Sequence, residues 1–95
     1  MSLSIYVKSA EVLKVLAHPV RITILIELMT RGSCNVNQIV EILGIPQSIV
    51  SQHLMKMKSQ KLIMNYRRGN EVYYSAPNKQ VNFIIELLLE KKSIS

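Results

Sequence analysis

Apolar positions in this chain recur at helical spacing, break at glycine and proline corners, and switch once to a strand-like pattern. Leu3, Val7, Leu13 and Leu16, with Ile5 and Val12, mark a helix over residues 3–17, punctuated by His18-Pro19. A second helix to Arg31 carries Val20, Ile22, Ile24, Leu25, Leu28 and Met29, and Gly32-Ser33 ends it. Val36, Ile39, Val40 and Leu43 fall at i, i+3, i+4 and i+7, the apolar face of a third helix. Asn35 or Asn37 can cap its start through a short amide oxygen. Gly44 stands where a helix end often needs positive φ. Pro46 suits the first turn of a fourth helix, residues 46–59, because an N–H there has no intrahelical partner.

In that fourth helix Val50, Leu54 and Met57 form a narrow apolar stripe. Gln47, Ser48, Ser51, Gln52, Met55, Lys56, Ser59 and Gln60 lie off it. One face packs on a core, and the other presents amides, hydroxyls and ammonium groups, which suit base edges and phosphates. Two helices meeting at a Gly-Ile-Pro corner make a helix-turn-helix pattern, so double-stranded DNA is the first partner to consider. Between residues 62 and 76 the pattern changes. Tyr66, Val72, Tyr73 and Tyr74 are strand formers around the turn chemistry of Arg67-Arg68-Gly69-Asn70. This predicts a two-stranded hairpin with Arg67 and Arg68 at its tip. The last helix, residues 79–92, has Val81, Ile84, Ile85 and Leu88 on one face, and Phe83, Leu87 and Leu89 extend the apolar surface almost around it. Such a helix needs two covering surfaces, its own domain and, most simply, a second copy of the chain. The expected fold is mainly α with a small β-hairpin: four helices, two strands and a fifth helix, forming one winged helix-turn-helix domain over residues 1–95.

Charge sharpens the partner. The net charge is +6, unevenly placed. Residues 1–50 hold four Lys/Arg against three Glu, and residues 51–95 hold eight against three. Lys56, Lys58, Lys61, Arg67 and Arg68 follow one another without an intervening acid, as a phosphate-binding surface requires. A chain of 95 residues buries a limited core, so oligomerisation would help it. No run approaches the ~20 apolar residues of a membrane span, and the N-terminus lacks a signal-peptide cleavage pattern. The expected location is cytoplasmic. One cysteine excludes an internal disulfide and fits a reducing compartment. No carboxylate pair, glycine-rich phosphate loop or nucleophile–base pair supports catalysis.

Four segments in order carry a family resemblance: Leu13-Lys14-Val15-Leu16-Ala17-His18-Pro19-Val20-Arg21, Ile24-Leu25, Gln47-Ser48-Ile49-Val50-Ser51-Gln52-His53-Leu54 and Val72-Tyr73-Tyr74-Ser75. With the element order, they resemble the ArsR/SmtB family of bacterial winged-helix repressors over nearly the whole chain. The resemblance implies a homodimer paired through its first and last helices, reading a palindromic operator with two recognition helices. Leu3, Val7, Leu13, Val81, Ile84, Ile85 and Leu88 are then the expected dimer contacts. Metal-sensing members often carry Cys-Val-Cys at the start of the third helix, where this chain has Asn35-Val36-Asn37. Neutral amides are poor replacements for thiolates. Others bind zinc through Asp and His on the last helix, which here has neither. The chain therefore resembles the metal-independent members, including a toxin-operon repressor type that shares a Pro-Gln-Ser start to the recognition helix. No metal and no cofactor are expected.

The residues expected to meet DNA are Gln47, Ser48, Ile49, Ser51, Gln52, Lys56, Arg67, Arg68 and Asn70. Gln can be bidentate to adenine, and Ser suits bases or phosphates. Ile49 meets a thymine methyl or simply packs. His53 fills a groove at the core edge or, as the lesser alternative, touches a phosphate, and His18 can cap the second helix. Two arginines beside a glycine turn favour the minor groove or flanking phosphates over a merely solvated tip. Lys58 and Lys61 add to the field. Cys34 reads as a small buried hydrophobe; the competing redox reading needs a second thiol from across a dimer. The function expected is a dimeric, sequence-specific DNA-binding transcriptional regulator, most simply a repressor. The alternative is a winged-helix module that binds another regulator through its apolar last helix.

Overall fold

The computed structural model describes residues 3–94. Its elements are α1 (Ser4–Leu16), α2 (Pro19–Arg31), β1 (Cys34–Asn35), α3 (Val36–Leu43), α4 (Gln47–Ser59), β2 (Met64–Arg68), β3 (Glu71–Ser75) and α5 (Lys79–Ile94). Side-chain caps satisfy the starts of α2, α3 and α5. His18 caps α2: its Nδ1 accepts from the Val20 N–H at 3.2 Å, with Pro19 in the first turn. Asn35, rather than Asn37, caps α3 through a reciprocal pair. Its Oδ1 accepts from the Gln38 N–H at 2.8 Å, and its own N–H donates to Gln38 Oε1 at 2.8 Å. Gly44 ends α3 at φ 68°, donating to the Val40 carbonyl at 2.8 Å. Asn78 opens α5, its Oδ1 accepting from the Val81 N–H at 3.1 Å.

One local detail differs from the sequence reading. Pro46 lies one position outside α4. At ψ 147° it is extended, and its carbonyl accepts from the Ile49 and Val50 N–H groups. The far end of α4 closes on a non-glycine residue with positive φ, Lys61 at 59°. Leu62 N–H donates to the Met57 carbonyl at 3.0 Å and Lys61 N–H to the Lys58 carbonyl at 2.9 Å, the pair of bonds that defines a Schellman motif. Leu62 and Met57, which such a motif brings together, are both fully buried.

The sheet has three strands, not two, in the order β1-β3-β2. β1 pairs antiparallel with β3, Cys34 opposite Tyr74 and Asn35 opposite Tyr73. A two-residue strand has no periodicity to read. β2 and β3 form the expected hairpin, from Met64 opposite Ser75 to Arg68 opposite Glu71. The turn is Gly69-Asn70, with positive φ at Gly69 alone, the pattern of a type II′ turn. Arg67 and Arg68 are therefore the last residues of a strand rather than part of the turn.

The core joins Ile24, Leu25 and Leu28 of α2, Ile39 of α3, Val50, Leu54 and Met57 of α4, Leu62 and Ile63 of the following link, and Val81 and Ile85 of α5. From α1, Val15 and Leu16 are buried in it and Val12 packs against it. Leu3, Ile5, Val7 and Leu13 are exposed.

Candidate DNA-binding interface

α4 presents one face to the core and the other to solvent. Val50, Leu54 and Met57 hold it down. Ser48, Gln52, Met55 and Ser59, at i, i+4, i+7 and i+11, form an exposed outward stripe. Gln47, Ile49, Lys56 and Lys58 flank it and are exposed; Ser51 is half-buried at the margin. No acid lies between Gln47 and Arg68, so every formal charge from the start of α4 to the end of β2 is positive at neutral pH.

The orientation of α4 is set from behind. Arg21 Nε donates to His53 Nδ1 at 3.1 Å, and Arg21 Nη1 donates to the Val15 carbonyl at 3.3 Å. The His18 and His53 rings meet edge to face at 4.6 Å. One guanidinium thus ties the end of α1 and the body of α2 to the middle of α4. Burial, then the neighbouring His18 and Arg21, push the His53 imidazole below its ordinary value. The neutral ring, with Nδ1 as acceptor, is the form this arrangement uses. His53 packs at the core edge as the sequence implies, but Arg21 was not singled out. Its partner lies 32 residues away, so no local spacing could reveal the pair.

The hairpin sits beside α4 and is tied to α3. Glu71 Oε2 accepts from Asn35 Nδ2 at 3.1 Å and from the Tyr73 hydroxyl at 3.1 Å. Tyr66 and Tyr73 stack across the strand pair with centroids 6.0 Å apart. Arg67, Arg68 and Asn70 are exposed at its far end. A shallow cleft lined by Asn35, Asn37, Gln47, Asn70 and Glu71 separates this end from the start of α4. Sequence reasoning passed over Glu71, whose link to Asn35 spans 36 residues. Arg31 is engaged locally, its Nε donating to Glu27 Oε1 at 2.9 Å.

The remaining expected site residues separate by burial. Val81 and Ile85, at 4% and 1% exposure, are consumed by the protomer's own core. Leu3, Val7, Leu13, Ile84 and Leu88 stay exposed, Leu88 at 62%. Of these, Leu13, Ile84 and Leu88 line an apolar groove between α1 and α5 that also takes in Leu16, Ala17 and Ile22. Cys34 is fully buried in β1. Burial raises its thiol above the ordinary value, and Glu27 adds to this while Arg31 opposes it. Its thiolate is disfavoured, as for a structural cysteine. Among the described residues, no three His, Cys, Asp or Glu side chains cluster as metal ligands would.

An outward polar helix after a glycine corner, with a basic hairpin beside it, is the architecture of a winged helix-turn-helix. The chain belongs to the bacterial regulatory protein arsR family, whose model matches residues 18–64. It is 52% identical over 79 residues to the transcriptional repressor PagR of Bacillus anthracis, covering 83% of this chain and 79% of that protein. The crystal structure of PagR superposes with a TM-score of 0.81 at 46% identity, over 92% of this chain and 99% of that one. A homodimeric winged helix-turn-helix DNA-binding domain from Mycobacterium bovis, solved by NMR, superposes with a TM-score of 0.83 at 27% identity, over 95% and 82% of the two chains.

Proposed function

We propose that this protein is a dimeric transcriptional repressor that binds a palindromic operator. One observation carries the reading: α4 presents an exposed polar face without an acid, and the chain from it to the wing tip carries Lys56, Lys58, Lys61, Arg67 and Arg68 and no acid. Each α4 enters a major groove with Gln47, Ser48, Ile49, Ser51 and Gln52 toward base edges. Lys56 meets phosphate, and Arg67, Arg68 and Asn70 of the wing grip the flank. Leu3, Val7, Leu13, Ile84 and Leu88 meet their copies across a two-fold axis. The half-sites are then about one helical turn apart, because the dimer axis must coincide with that of the DNA. Repression follows from occlusion of a promoter in the cytoplasm, without catalysis, metal or cofactor. The description of PagR as a repressor and the homodimeric state of the Mycobacterium bovis domain support this reading.

Selection of bound duplexes from random DNA, followed by anisotropy titrations at several salt concentrations, tests it. Each lost phosphate contact lowers the slope of log K against log salt by about 0.9. Arg67→Ala/Arg68→Ala should therefore weaken binding and flatten that slope by roughly 3–4 for a dimer with two wings. An unchanged slope removes the wing from the interface. Failure to enrich any sequence removes the operator.

A further inference from the structure

Two apolar side chains on α4 serve neither the core nor the proposed dimer. Among the described residues, the exposed large hydrophobics lie on or beside α1, on α5, on the outer strand β2, or on α4. Of those on α1 and α5, Leu13, Ile84 and Leu88 line the apolar groove. On α4 there are two, Ile49 at 39% exposure and Met55 at 72%. Met55 sits within the outward stripe, between Gln52 and Ser59. Ile49 lies on one flank, next to Ser48 near the start of the helix. They are six residues apart, a rise of about 9 Å along an α-helix, comparable to three base-pair steps.

The charge around them restricts what can cover them. α4 and the link to the wing carry Lys56, Lys58 and Lys61 and no acid, so the complementary surface is polyanionic. A polyanion that offers apolar groups at the spacing of a helix face is duplex DNA, whose major groove exposes one such group, the thymine 5-methyl. We infer that Met55 and Ile49 read thymine methyls in the major groove, making this chain selective for thymine at two positions of each half-site. The inference rests on α4 being the DNA-reading helix and adds which base its apolar residues select. Gln52, one turn from both, supplies an amide for the adenine of a neighbouring pair. These three side chains favour A·T pairs at the positions they meet.

Uracil differs from thymine by the single methyl. Duplexes enriched from a random pool by the wild-type chain are remade with deoxyuridine at one half-site thymine at a time, placed symmetrically in both halves. A methyl buried against an alkyl or thioether side chain contributes about fourfold in affinity. The wild type should therefore lose on the order of fourfold per methyl at two positions per half-site. Met55→Ala should bind the thymine and uracil duplexes equally at one of these positions, and Ile49→Ala at the other. Met55→Leu should retain the preference for thymine. Met55 is exposed enough that its alanine variant should unfold at the wild-type urea midpoint, so its arm of the test is free of folding effects. Enrichment with indifference to uracil at every position overturns the inference and leaves α4 as the reading helix. Equal uracil sensitivity in the wild type and Met55→Ala removes Met55 from the methyl contact. No enrichment at all overturns the inference together with the reading beneath it.

Discussion

The end of α4 stores strain that a single substitution can release. Lys61 sits at φ 59° because the Schellman motif demands a left-handed residue there, and L-residues other than Gly and Asn rarely adopt it. The left-handed conformation costs roughly 1–2 kcal/mol for a residue with a Cβ. Lys61→Gly removes that cost. It also loosens the unfolded chain, which takes back roughly 0.5–1 kcal/mol. The net expectation is a gain of about 0.5–1 kcal/mol, or a rise in Tm of roughly 2–8 °C for a domain of this size. Lys61→Ala is the essential control, since it removes the same charge and long side chain but keeps the Cβ. Its stability should remain within about 0.5 kcal/mol of the wild type. Urea and thermal unfolding at one fixed protomer concentration, required if unfolding is coupled to dimer dissociation, compare the three proteins. If Lys61→Gly is no more stable than Lys61→Ala, the backbone at this position is not strained and the reasoning fails. Both variants lose one cation beside the proposed interface, so their salt slopes for DNA should change alike, separating charge from strain.

Two further outcomes follow from contacts around the site. Asn35→Ala removes the capping box of α3 and the link to Glu71, and should cost about 1 kcal/mol in urea unfolding. Asn35→Asp keeps the cap but faces the Glu71 carboxylate, so it should fall between the two; equal stability of Asn35→Ala and wild type would show that the cap contributes nothing. The folded chain holds His53 below its ordinary value, so the unfolded chain takes up that proton first as pH falls. Stability should therefore be lost from about pH 6.5 downward, toward the folded value. His53→Gln should flatten this part of the profile, and parallel urea midpoints for the two proteins between pH 7.5 and 5 would contradict it.

The helices and their punctuation are legible in the chain because each depends on neighbours. Apolar residues three and four apart choose a face, His18 caps α2 two residues on, Asn35 and Gln38 close the start of α3, and Gly44 supplies the positive φ of the corner. The outward face of α4 and the run of five cations beyond it belong to the same local order. Other features depend on residues far apart in sequence, and local periodicity carries no trace of them. β1 exists only because Cys34 and Asn35 meet Tyr74 and Tyr73. α4 is braced through Arg21 and His53, and the wing through Glu71 and Asn35. Val81, Ile84, Ile85 and Leu88 share one apolar pattern, yet packing against α2 and its neighbours sends Val81 and Ile85 inward and leaves Ile84 and Leu88 exposed. Hydrogen bonds within a turn and side chains on one helical face are set by the chain itself. Which apolar residue finds a core, and which polar residue finds a distant partner, is decided only when the helices close on one another.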